Sequence, residues 1–113
     1  MHVLITGGNG FLGKNFINFL KKKPNYKINS IPRNIDLSIA KNVDKYFKKI
    51  DKIKYIFHFA EVSGNKEWSK RNSFQQTLTN LKINLNIISA WKNYQPHAKF
   101  IFLSSVWSYP MGE

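Results

Sequence analysis

Residues 6–13 read Thr6-Gly7-Gly8-Asn9-Gly10-Phe11-Leu12-Gly13, and the rest of the chain is organised around them. The apolar run Val3-Leu4-Ile5 before this stretch predicts a buried strand, and residues 14–20 after it predict a helix. A strand, a glycine-rich turn and a helix in this order are typical of a dinucleotide-binding βαβ unit.

Each of three glycines has a physical reason in such a unit. Gly7 would let the chain turn sharply off the strand, where a side chain would strain the backbone. Gly10 would leave room for a diphosphate against the backbone, and Gly13 would let the helix pack closely on the strand. The N-terminus of the helix would then offer N–H groups and partial positive charge to phosphates. The alternative interpretation is a purely structural turn, because turns also use glycine.

The spacing Gly7-x-x-Gly10-x-x-Gly13, with Asn9 and Phe11-Leu12 inside it, resembles the extended branch of the short-chain dehydrogenase/reductase superfamily, the NAD-dependent epimerase/dehydratase family. These are NAD(P)-dependent enzymes that act mostly on nucleotide sugars. The resemblance implies an α/β fold with a Rossmann-type doubly wound parallel sheet. We expect its N-terminal portion here, about four to five strands with flanking helices. The resemblance assigns cofactor contacts in this stretch to Gly7, Gly10, Phe11, Leu12 and Gly13.

Length and composition indicate one globular domain over residues 1–113. The chain is 42% hydrophobic and 15% aromatic, which excludes a disordered class. No stretch approaches the roughly 20 apolar residues of a membrane span, and no secretory signal is recognisable. Without cysteine the chain has no disulfide or thiolate chemistry, and we expect a cytoplasmic protein.

The net charge of +12 has two interpretations. One is a surface for nucleic acid or anionic membrane. The other is a composition bias, since lysine supplies 16 of the 18 basic residues and the lysines are spread along the chain. We favour the second interpretation and expect neither a nucleic-acid nor a membrane partner.

Apolar periodicity predicts three helices, over residues 11–23, 40–51 and 66–94, and further strands over 26–31, 55–60 and 99–104. Each helix has a predicted buried stripe. These stripes are Leu12, Phe16, Phe19 and Leu20 in the first helix, Val43, Tyr46, Phe47 and Ile50 in the second, and Phe74, Leu78, Leu81, Leu85 and Ile88 in the third.

The end of the second strand bears on cofactor choice. An NAD-specific unit places an acidic residue there for the ribose hydroxyl, whereas residues 31–34 contain Arg33 and no acid. Arg33 could pair with a 2′-phosphate, which slightly favours NADP over NAD, or it could be a solvated loop residue. The resemblance places Asp36 and Leu37 beside the adenine; Asp36 could instead be a turn or capping residue.

Residues 58–64 resemble the His-x-Ala-Ala stretch of the family, whose backbone skirts the cofactor, and this assigns Ala60 to the cofactor. Glu61 stands where the family has a small residue. We interpret His58 as a structural residue with its hydrogen bonds satisfied. Asn80 matches the asparagine that supports the active-site backbone, so the resemblance places it among the cofactor-binding residues, and Ile83 replaces the usual glycine.

The segment after the last strand resembles the serine-rich segment of the family, and Ser105 matches the serine that hydrogen-bonds the substrate oxygen. The family also uses a Tyr-x-x-x-Lys pair to move a proton, because the lysine lowers the pKa of the tyrosine. No tyrosine of this sequence has a lysine four residues later. We therefore expect the N-terminal two fifths of such an enzyme, without turnover on its own and without the substrate-binding lobe.

Two hypotheses follow for the chain. It is the cofactor-binding portion of a nucleotide-sugar epimerase, dehydratase or reductase, or it is a non-catalytic NADP-binding sensor or regulatory module. The uncovered strand at 99–104 would be an aggregation hazard. We therefore expect either low solubility or a homodimer through that edge.

Overall fold

A computed structural model describes residues 1–62 and 66–102 of the chain. Its elements in chain order are β1 His2–Thr6, α1 Phe11–Lys21, β2 Lys27–Ser30, α2 Ala40–Lys49, β3 Tyr55–His58, α3 Lys66–Arg71, α4 Ser73–Tyr94 and β4 Lys99–Phe102. Within these two ranges, no helix combines the length and the apolar character needed to cross a membrane.

The four described strands form one parallel sheet in the order β2-β1-β3-β4. β1 lies between its two partners, so that Val3 is opposite Ile28 on one side and Tyr55 on the other. The chain therefore leaves β1 toward one edge of the sheet and returns past it to build β3 and β4. This confirms the predicted α/β Rossmann-type sheet.

Alternation along β1 separates two apolar layers. Val3 and Ile5 pack with Leu20 of α1 on one face of the sheet, whereas Leu4 packs with residues of α2 and α4 on the other. All three β1 side chains are fully buried. A strand that is apolar on both faces is expected where helices cover both sides of a parallel sheet.

The predicted stripe of α1 is wrong at two positions. Leu12 is 60% exposed and Phe19 is 54% exposed, although Leu20 is buried. Leu12 lies in the first turn of the helix, beside an open cleft. The helix also ends at Lys21, two residues earlier than predicted, because the amide of Lys23 already bonds the carbonyl of Leu20 in a tighter turn.

The predicted third helix is two helices, α3 and α4, which are separated at Asn72. Its predicted buried stripe is also wrong, because all five of its residues are exposed. The face that packs on the sheet carries Ile83, Ile87 and Ala90 instead. α4 has apolar residues on two sides, and periodicity alone does not show which side meets the sheet.

This reassignment of the α4 face predicts opposite results for two neighbouring substitutions. Ile87→Ala should lower the free energy of unfolding by about 2–5 kcal/mol, because it leaves a cavity under the sheet. Leu85→Ala should change it by less than about 0.5 kcal/mol, because that side chain is 57% exposed. Urea denaturation followed by circular dichroism measures both. Equal losses in the two variants would contradict the assignment.

Candidate functional site

A cleft of about 640 Å³ opens at the carboxyl ends of β1, β2 and β3. Ligands of open α/β sheets bind at this edge, where the strand order reverses, and the volume lies in the ordinary range of ligand sites. The described residues that line it are Gly7, Gly8, Asn9, Gly10, Phe11, Leu12, Gly13, Ile31, Pro32, Arg33, Ile35, Leu37, Phe59, Ala60, Glu61, Val62 and Ile83.

Two glycines are required by the packing of the protein itself. Gly7 has a φ of 71°, and a Cβ there would lie 2.6 Å from the backbone nitrogen of Ala60. A Cβ on Gly13 would lie 2.2 Å from the carbonyl oxygen of Gly7. The turn is thus wedged between α1 and the segment that follows β3, with no room for a side chain.

Gly10 differs from both, because nothing in the described structure closes over it. Its φ is −76°, which any residue adopts, and a Cβ there would meet only the carbonyl oxygen of Gly7, at 3.5 Å. Gly10 lines the cleft. The missing side chain therefore leaves open space on the side where a ligand would lie.

The N-terminus of α1 points its free amides at the same space. Gly10 is the N-cap, and no side-chain hydrogen bond caps the helix; its first turn also has no acidic residue. The first bond of the helix runs from the amide of Lys14 to the carbonyl of Gly10, at 2.9 Å. The amides of residues 11–13 therefore have no acceptor within the helix, and together with the helix dipole they favour an anion.

The segment after β2 forms the rim of the cleft. A turn closes when the amide of Ile35 bonds the carbonyl of Pro32 at 3.1 Å, which leaves Arg33 exposed at its corner. Among the described lining residues Arg33 is the only base and Glu61 the only acid. The cleft thus has one side chain at its rim that can pair with a phosphate.

Asp36 is next to this rim, but it is not among the described lining residues. Its Oδ1 accepts hydrogen bonds from the hydroxyl of Ser38 at 2.6 Å and from the amide of Ser38 at 3.0 Å. These two bonds lower the pKa of the Asp36 carboxyl. The bond to the amide two residues on is typical of an Asx turn, which is the alternative that the sequence left open. Leu37 is buried and lines the cleft.

The segment after β3 forms the opposite wall, with Ala60, Glu61 and Val62. Asn80 of α4 binds this wall with both ends of its side-chain amide. Its Oδ1 accepts from the amide of Val62 at 2.5 Å, and its Nδ2 donates to the carbonyl of Val62 at 3.1 Å. Asn80 therefore supports the wall from behind rather than lining the cleft.

Behind this wall, Thr6, His58 and Asn84 form a hydrogen-bonded row. Thr6 Oγ1 is 2.6 Å from His58 Nδ1, and His58 Nε2 is 2.7 Å from Asn84 Oδ1. The hydroxyl oxygen of Thr6 also accepts from the amides of Phe59 and Ala60, each at 3.1 Å. Both ring nitrogens of His58 have partners, as expected for a structural histidine, and burial lowers its pKa.

The structure brings eight of the ten predicted cofactor residues to one cleft, and leaves Asp36 and Asn80 beside it. Their contacts with a cofactor stay predictions, and Ser105 lies outside the described residues. Sequence reasoning missed Gly8, where a Cβ would meet the hydroxyl of Ser30 at 2.3 Å. The Gly7-Gly8 pair was the available signal. It also missed Asn84, for which the sequence carried no signal.

One known family matches nearly the whole chain. The profile of the NAD dependent epimerase/dehydratase family matches residues 3–113. A curated relative, GDP-L-colitose synthase of Yersinia pseudotuberculosis, is 28% identical over 110 residues. That alignment covers 97% of this chain and 35% of the relative.

Solved structures of similar fold include two reductases or synthetases of nucleotide sugars. A GDP-6-OMe-4-keto-L-xylo-heptose reductase from C. jejuni has a TM-score of 0.81 at 26% identity. The match covers 99% of this chain and 32% of the reductase. A GDP-L-fucose synthetase from Naegleria fowleri bound to NADP has a TM-score of 0.81 at 25% identity. That match covers 99% of this chain and 33% of the synthetase. This chain spans about a third of the length of these relatives.

Proposed function

We propose a function from the fact that the chain belongs to the NAD dependent epimerase/dehydratase family. Its cleft binds a nicotinamide dinucleotide, with the pyrophosphate on the N-terminus of α1. The observation that carries the proposal is the open space over Gly10. Packing within the chain accounts for the absence of side chains at Gly7 and Gly13, but not at Gly10. A pyrophosphate against that backbone would account for it, and the free amides of residues 11–13 would bind it.

The two walls of the cleft suggest the orientation of the rest of the cofactor. The adenosine half would lie along the β2 side, where Leu37 offers an apolar surface and Arg33 would face a ribose 2′-phosphate. Asp36, which lies beside this rim, would approach the adenine. The nicotinamide half would lie along Ala60 and Val62, the wall that Asn80 supports. Arg33 at this rim favours NADP, because a guanidinium binds a phosphate through two parallel hydrogen bonds.

The relatives suggest the substrate class. Their names specify GDP-linked sugars, so we propose that the whole protein acts on a nucleotide sugar, with Ser105 positioning the substrate oxygen. The dinucleotide supplies hydride transfer when bound. The residues of this chain would bind and orient the cofactor.

Replacing Gly10 separates cofactor binding from folding. Gly10→Asp should leave the thermal midpoint unchanged or raise it, because aspartate is a favoured N-cap. The same variant should bind NADPH at least about tenfold more weakly, because its carboxylate occupies the amides and repels the pyrophosphate. Fluorescence titration of NADPH and thermal melting followed by circular dichroism measure the two effects.

Two further variants serve as controls. Gly10→Ser adds a capping side chain without a charge and should weaken binding less than Gly10→Asp. Gly13→Ala should instead lower stability by about 1–3 kcal/mol, because its Cβ would overlap the Gly7 carbonyl. Undiminished NADPH binding by Gly10→Asp would refute the proposed site.

Arg33 should determine the preference between the two cofactors. Arg33→Ala should weaken NADPH binding about tenfold or more, through the loss of a charge-assisted contact, and leave NADH binding within about twofold. Arg33→Lys keeps the charge but not the planar fork, and should recover only part of the NADPH affinity. Parallel fluorescence titrations with both nucleotides measure this, and an equal loss for both would show that Arg33 does not read the 2′-phosphate.

The 113 residues alone should bind the cofactor without turnover. No tyrosine in this sequence is followed by a lysine four positions later, so the proton-transfer pair of the family is not in it. With NADPH and a nucleotide-linked 4-keto sugar, the absorbance of NADPH should fall no faster than in a mixture without protein. Oxidation that increases with the amount of chain would contradict this expectation.

A further inference from the structure

His58 is a buried titratable group that the proposed chemistry does not use. It is the last residue of β3, is 1% exposed, and lies opposite Thr6 at the end of β1. Thr6 is completely buried. The two side chains therefore meet inside the protein, directly behind the cleft.

The hydrogen bonds of Thr6 determine which nitrogen of His58 carries the proton. A hydroxyl has one proton and two acceptor positions. Thr6 Oγ1 accepts from the amide of Ala60, and it also accepts from the amide of Phe59, which divides its hydrogen bond between this oxygen and the backbone carbonyl of Thr6. Its proton must then go to His58 Nδ1, 2.6 Å away, which can accept it only if that nitrogen has no proton. The neutral ring therefore carries its proton on Nε2 and donates it to Asn84 Oδ1.

This row connects α4 to the wall of the cleft. Asn84 holds the ring, the ring orients the Thr6 hydroxyl, and the hydroxyl holds the amides of Phe59 and Ala60. The nitrogen of Ala60 is also the atom that a Cβ on Gly7 would strike. The row thus fixes the contact between the exit of β3 and the glycine turn.

A proton on Nδ1 would break the row. The imidazolium would point a donor at Thr6 Oγ1, so the hydroxyl would lose the acceptor of its proton and would have to rotate. The new donor would also compete for Oγ1 with the amides of Phe59 and Ala60, of which only that of Phe59 has a second acceptor, the carbonyl of Thr6. Among residues 1–62 and 66–102, the side chains in contact with His58 do not titrate. They are Asn84 from α4, Thr6 from β1, and the rings of Phe100 and Phe102 from β4, at 5.9 and 5.6 Å between centroids.

We propose that neutral His58, acting through Thr6, holds the exit of β3 in the position that receives the dinucleotide, and that protonating this ring releases that wall. His58 is thus a positioning residue, and this inference rests on the proposed function. Burial lowers the pKa of His58 from its ordinary 6.5, against a smaller opposing effect of Asn84. The stability that depends on the neutral ring is therefore complete above pH 6.5 and is lost as the pH falls through the folded pKa.

The first test uses NMR on the free ¹⁵N-labelled chain. At pH 7.5 the long-range ¹H–¹⁵N spectrum should show His58 with a bare Nδ1 and a protonated Nε2. Comparison with His58→Asn distinguishes its signals from those of His2 and His97. On acidification the amide signal of Ala60 should shift with the same midpoint as the ring. A proton on Nδ1 at pH 7.5 would overturn the proposal. So would an Ala60 amide whose chemical shift does not change as the ring titrates.

The second test follows NADH, which lacks the titrating 2′-phosphate. Its affinity should fall by about tenfold as His58 becomes protonated, and stay flat over the same range in His58→Asn. At pH 7.5 Thr6→Ser should keep the affinity for NADH, because serine retains the hydroxyl. Thr6→Val should lose that affinity, because valine has no hydroxyl to hold the amides of Phe59 and Ala60. Equal pH profiles with and without His58 would overturn the coupling. Absence of NADH binding at every pH would overturn the proposed function. The NMR titration would then still show whether protonation of His58 disrupts its hydrogen bonds with Thr6 and the wall.

Discussion

The contact between the glycine turn and the two elements that enclose it is the constraint on which this structure depends. Gly7 lies against the backbone of Ala60, and Gly13 lies against the carbonyl of Gly7. Side chains at either position would push α1 or the exit of β3 away from β1. The same close packing brings the helix N-terminus and the β3 wall to one edge of the sheet. The cleft therefore depends on the close contact of three backbone segments, which are the glycine turn, the start of α1 and the exit of β3, with no side chains between them.

Local pattern was sufficient to predict the strands and most helices, because β1, β3 and β4 are short runs rich in apolar residues between turn residues, although β2 has only one apolar residue, Ile28. It failed for the faces of two helices. In α4 the regular stripe that includes Leu81 and Leu85 is exposed, while Ile83 and Ile87 meet the sheet. A helix that is apolar on two sides has two plausible inner faces, and only the position of the sheet distinguishes them. The exposed Phe19 of α1 has the same cause.

The site was predictable to the extent that its residues are consecutive in sequence. The glycines and Arg33 follow directly from strand ends, so their convergence at one edge could be inferred from a parallel sheet. The row of Thr6, His58 and Asn84 could not, because it requires the register that sets Thr6 opposite His58 and the rotation of α4 that brings Asn84 to the ring. Both are results of packing between distant segments, as is the crowding at Gly8.

The cleft combines few charges with many backbone dipoles, and this bears on the high net charge of the chain. Of the 18 basic residues only Arg33 is among the described residues that line the cleft. The anion binding proposed for this cleft would therefore come mainly from the amides of residues 11–13 and the helix dipole, which are fixed in direction and would lose little entropy on binding. The other basic residues, which are the 16 lysines and Arg71, would add a diffuse, salt-screened attraction. Specific binding should then depend on the geometry of the turn far more than on ionic strength, as expected for a site whose essential feature is a missing side chain.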